Sequence, residues 1–127
     1  MNEDNFSHMN NKGDVEMVDI SAKPDTVRRA TARGNIRLSP KTLAAIAADS
    51  VHKGNVLATA RIGAVQAAKH TWETIPLCHQ IPITNIETQF DQQSDRIRMS
   101  VTVDTVGKTG CEMEALQAVT TGLTVVW

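Results

Sequence analysis

Apolar and polar residues alternate along much of the stretch between Ile83 and Val103. Ile86, Thr88 and Phe90 form one row, Ile97, Met99, Val101 and Val103 form another, and "DQQSD" (91–95) lies between them. Alternation sends successive side chains to opposite faces of a strand, so this pattern predicts an antiparallel hairpin with one buried face and a polar turn. The spacing elsewhere is helical. In "SPKTLAAIAAD" (39–49), Ser39 can cap free amides, and Pro40 fits a first helical position that needs no amide hydrogen. Leu43, Ile46 and Ala47 then fall on one helical face. "HKGN" (52–55) interrupts that helix before an alanine-rich segment, "VLATARIGAVQAAKHTWETI", whose small residues suit close packing and which Pro76 terminates. A last helix is expected after Gly110, apolar through "LQAVTTGLTVVW".

Two less regular stretches complete the pattern. "MVDIS" (17–21) reads as a short strand, and the second half of "TVRRATARGNIRL" (26–38) as another, with Val27, Ala30 and Ile36 inward. Strand, strand, helix, helix, hairpin, helix is the order of an α+β fold, with helices covering one face of an antiparallel sheet. Residues 1–16, acidic and amide-rich, read as a mobile tail, and residues 17–127 as a single domain. The last helix meets Trp127 with no cap and no closing strand, so the domain is expected to lack its C-terminal part.

Composition narrows the classes of partner. With two Trp, two Phe and no Tyr, the chain offers few faces for unpaired bases to stack on. A net charge of −1 gives no general basic field for nucleic acid. The N-terminus has the apolar run of neither a signal peptide nor a membrane span. Two cysteines without CxxC spacing fit a reducing cytoplasm better than a disulfide framework.

Three stretches carry candidate chemistry. "GKTGCEMEAL" (107–116) resembles a phosphate loop, but the fingerprint requires a glycine five residues before Gly107, and Thr102 stands there. Thr109 and Glu112 have capping-box spacing, which gives Glu112 a structural explanation. Glu114, two residues on, points to nearly the opposite side of a helix and remains open to a functional role or to a helix-dipole role. In "HKGN", Gly54 and the following helix start can receive an anion, with Lys53 adding charge; a solvated lysine is the plain alternative. Arg28, Arg29 and Arg33 either extend such a patch or form a wet face. In "IPLCHQIP" (75–82), Cys78 and His79 are neighbours, and in an extended segment only one of them would line a given pocket. The remaining histidines, His8, His52 and His70, form no second Cys/His pair, which argues against a metal site.

Taken together, "MVDISAK", "HKGNVLATARIGAVQAAKHTWETIPLCH", "GKTGCEMEAL" and "LTVVW" resemble molybdenum cofactor biosynthesis protein C, the cyclic pyranopterin monophosphate synthase family, over nearly everything from Met17 onward. The resemblance implies a ferredoxin-like sheet and a homohexamer, a trimer of dimers, with active sites between subunits. It implies a lyase that converts a cyclised dihydro-GTP to cyclic pyranopterin monophosphate and diphosphate, with no cofactor and no metal. By the same resemblance Lys53, His79 and Glu114 are catalytic. Leu77, Cys78, His79, Glu112, Met113 and Glu114 contact substrate, and Arg28 holds phosphate. The family also places an aspartate directly after the position of Trp127 and a lysine shortly beyond, so the chain as it stands is expected not to turn over. A non-catalytic nucleotide-binding or assembly module is the alternative, and a metal-binding regulator acting through Cys78 and the histidines is a second.

Overall fold

A computed structural model describes residues 7–127. Its elements run β1 (Thr26–Arg37), α1 (Pro40–Ala47), α2 (Val56–Lys69), α3 (Thr71–Thr74), β2 (Ile83–Gln92), β3 (Arg96–Gly107) and α4 (Glu112–Val126). The three strands form one antiparallel sheet in the order β1-β3-β2, an α+β architecture. The expected hairpin is β2–β3, with Phe90 opposite Met99 and Ile86 opposite Val103. Along β3 the alternation is complete: Ile97, Met99, Val101 and Val103 are fully buried, while Arg98, Ser100 and Thr102 lie on the other face.

The buried face is closed by α2 and α4. Ala60, Ala64 and Ala68 recur every four residues on α2 and are buried, as are Ala115, Ala118 and Val119 of α4. Small residues let the two helices and the sheet approach closely. A Cβ on Gly122 would lie 2.5 Å from the Met99 sulfur, so Gly122 is the point where α4 sits down on β3. Leu43, Ala60, Ile97 and Val126 make a second cluster at the other end, with Ile46 packed against it. Ser39 caps α1 as its sequence predicts, accepting from the Thr42 amide at 3.2 Å.

The structure differs from the sequence pattern in several places, among them the end of α2, which stops at Lys69 with His70 as its C-cap, well before Pro76. Strand β1 spans the whole of 26–37, and Val27 is 81% exposed while Ala30 and Ile36 pack inward, because strand parity separates odd from even positions. Ala47 is exposed, at the end of α1. Residues 17–21 are not a strand: the Asp19 carboxylate accepts from both the amide and the hydroxyl of Ser21, and this local turn takes the place of sheet pairing. The mobile-tail reading falls partly on residues 1–6, which lie outside the described residues, whereas 8–16 fold back on themselves through a Met9–Val15 bridge. Among the described residues no helix is long and apolar enough to cross a membrane.

Candidate active site

One end of the sheet carries the chemistry. Strand β3 ends at Gly107 and leads through Lys108–Cys111 into α4, and opposite it α3 gives way to the loop 75–82 before β2. Between them lies a cleft of about 410 Å³, lined by His8, residues 75–79, Thr109, Gly110 and residues 112–114. Thr105, buried at the end of β3, donates to the Pro82 carbonyl at 2.7 Å and fixes the exit of that loop. Leu77 has φ of +62°, a left-handed conformation that costs a non-glycine residue about 1–2 kcal/mol. That turn breaks the extended geometry assumed for "PLCH", and Cys78 and His79 both line the same cleft instead of facing apart.

Helix α4 presents its first turn to the cleft without the capping box. Cys111 occupies the N-cap position with no side-chain capping bond, because its thiol turns inward and lies 3.2 Å from the Val103 carbonyl. Thr109 falls two residues too early to cap and borders the cleft. Glu112 and Glu114 diverge as residues two apart on a helix must: Glu112 is exposed, and Glu114 is 3% exposed. A Cβ on Gly110 would collide with the Glu112 carboxylate, so the glycine gives that side chain room to fold back along the rim. Met113 stands between them, 39% exposed, as an apolar wall.

Glu114 is the unusual group. Its Oε2 is buried with no hydrogen-bond partner among the described residues, and its Oε1 lies 4.0 Å from the Cys78 sulfur. Burial pushes the Glu114 carboxyl above the usual carboxylate range, the Glu112 charge adds to this, and its own backbone amide partly opposes it. Burial, and then the Glu114 charge, push the Cys78 thiol up in turn. An unsatisfied buried carboxylate is costly, and this one belongs to a residue that lines the cleft. His79 borders this cleft and also a void of about 10 Å³ shared with Glu114 and Trp72. Among the described residues no three His, Cys, Asp or Glu side chains converge as a metal cage would require.

Two predicted residues stand apart. Lys53 precedes α2, whereas His79 follows its far end, and a helix of 14 residues is about 21 Å long. One protomer therefore does not bring Lys53 to Glu114. At the helix start Gly54 takes φ of +111°, and the Asn55 side chain accepts from the Ala58 amide at 2.8 Å, using one donor an anion would want. Arg28 lies at the correct end of the sheet, but its Nε donates to the Gly107 carbonyl at 3.3 Å and it does not line the cleft. Arg29 and Arg33 turn to the open face, paired with Asp104 and Ser100. His8, which spacing left in the tail, borders the cleft; only its polar, proton-binding chemistry could have drawn attention to it.

The "PLCH" loop and the "EME" helix start meet at one cleft, and residues 17–127 match the MoaC family. The chain belongs to that family. It is 60% identical over 125 residues to a Halobacterium salinarum protein named "Probable cyclic pyranopterin monophosphate synthase", a match covering 98% of this chain and 77% of the relative. A Natronomonas pharaonis protein of the same name is 60% identical over 122 residues, covering 96% and 76%. A Methanothermobacter thermautotrophicus protein, "Probable cyclic pyranopterin monophosphate synthase accessory protein", is 49% identical over 122 residues, with the same coverage of 96% and 76%.

Proposed function

We propose that this cleft binds a cyclised dihydro-GTP and that the protein is a lyase of molybdenum cofactor biosynthesis, forming cyclic pyranopterin monophosphate with release of diphosphate. The observation that carries the reading is Glu114, a buried residue lining the cleft whose carboxyl has one oxygen without a hydrogen-bond partner among the described residues. A purine-derived ring presents adjacent N–H donors, and such a carboxyl is the acceptor they need. Met113 and Leu77 supply apolar contact to the ring, and Cys78 borders it. His79, beside Glu114, is placed to carry a proton during the ring rearrangement.

Lys53 and Arg28 meet the phosphates in this reading. The length of α2 prevents Lys53 from reaching its own protomer's Glu114, and a neighbouring protomer supplies it. A homohexamer built as a trimer of dimers, a ferredoxin-like sheet completed beside β1, and a cytoplasmic setting belong to the same proposal. The order β1-β3-β2, with the first connection crossing over through helices, supports the ferredoxin-like sheet of that proposal.

The test is to supply cyclised dihydro-GTP to a protein of the relatives' full length and measure the pyranopterin and diphosphate formed. Both products are expected, and Lys53→Ala abolishes both. Neither product from the unsubstituted protein rejects the proposal, and tight binding of GTP analogues without turnover points to a non-catalytic module.

A further inference from the structure

His8 lies outside the residues that match the family, yet it borders the same cleft as Glu112 and Glu114. The segment that carries it is built. The Asn10 side-chain oxygen accepts from the amides of Lys12 at 2.9 Å and Asp14 at 3.0 Å, and Gly13 takes the φ of +82° that this turn requires. The Glu16 amide donates to the His8 carbonyl at 2.7 Å, which fixes the backbone of the histidine itself. Further along, Lys108 Nζ donates to the Lys23 carbonyl at 2.7 Å, and its ammonium lies 3.8 Å from the Asp25 carboxylate. Lys108 is the immediate neighbour of the cleft residues Thr109 and Gly110, so residues 8–25 form a strap tied to the cleft's own rim.

Charge gives the strap a purpose. The described lining of the cleft holds two carboxylates, Glu112 and Glu114, and two groups able to carry positive charge, His8 and His79. His79 is half-buried and shares a void with Glu114, whereas His8 is exposed and stands at the mouth. A ligand with a polyanionic arm sends that arm away from Glu114, and of the exposed residues that line the cleft His8 is the one able to carry positive charge.

We propose that His8 is a ligand-contacting residue: the strap holds its imidazole at the mouth, where it receives a phosphate of the ligand whose ring lies against Glu114. The identity of that ring rests on the preceding section; the phosphate contact does not. Calorimetric titration of the whole chain with guanosine, GTP and inorganic tripolyphosphate tests it, for the unsubstituted protein, His8→Gln and His8→Arg. His8→Gln is expected to weaken GTP and tripolyphosphate by about fivefold, leave guanosine unchanged, and be rescued by His8→Arg. Unchanged GTP and tripolyphosphate affinities in His8→Gln overturn the inference, as does an equal loss for guanosine, which makes His8 a prop of the cleft wall. Failure of the unsubstituted chain to bind either phosphate ligand overturns it too. Guanosine that does not bind, beside tripolyphosphate that binds through His8, removes the purine reading and leaves the phosphate contact standing.

Discussion

Glu114 sets a conflict between stability and function that a single substitution exposes. Its carboxyl is raised by burial, so between the ordinary carboxylate range and its own higher value the folded protein binds more protons than the unfolded chain. Stability due to this group is therefore greatest in acid and falls as pH rises through that window. Glu114→Gln removes the buried charge and should raise the melting temperature at pH 7 by roughly 3–10 °C, with little gain at pH 4, while abolishing turnover in a protein of the relatives' full length. Thermal melts at the two pH values check the sign, and a lower melting temperature at pH 7 would refute it. The sequence placed Glu112 and Glu114 on opposite sides of a helix correctly. It could not show which one is buried, because that depends on where α4 meets the 75–82 loop, a contact far apart in sequence. Cys78 and His79 were misread as diverging for a related reason: the left-handed turn at Leu77 has no residue signature, since glycine or asparagine would ordinarily mark it.

At the level of elements, periodicity carried far. The β2–β3 hairpin, the Ser39 cap and the interruption at "HKGN" all follow from local residue chemistry, which folding preserves. The "MVDIS" stretch did not, because Asp19 and Ser21 satisfy one another locally and leave the apolar residues around them without a partner strand. The resulting strap depends on Lys108, which gains a structural task that no motif assigns it. Lys108→Ala should lower the melting temperature by no more than about 4 °C, since an exposed ion pair contributes about 1 kcal/mol or less, yet speed amide exchange in residues 16–23 several-fold. Hydrogen-exchange mass spectrometry reads this directly; unchanged protection in that segment would show the strap to be held by something else.

For the whole molecule, the decisive geometry is the length of α2, which keeps Lys53 from its own protomer's Glu114. If each site draws Lys53 from one protomer and Glu114 from another, two inactive variants can repair each other. Unfolding and refolding an equal mixture of Lys53→Ala and Glu114→Gln proteins of the relatives' full length should restore about a quarter of the unsubstituted activity, the chance that a site receives both intact residues. A mixture as inactive as its components would mean that both residues are drawn from one protomer. No pattern along a single chain announces such a division, which is why Lys53 and His79 could be singled out by resemblance but not joined by spacing.

The most direct measurement is carbon NMR titration of the Glu114 side-chain carboxyl, with and without a guanine nucleotide. The carboxyl should titrate above the ordinary carboxylate range in the free protein, then stay ionised to markedly lower pH once N–H donors of the base occupy its free oxygen. An ordinary titration in the free protein, or one that a bound nucleotide leaves unmoved, would contradict the assignment of this cleft.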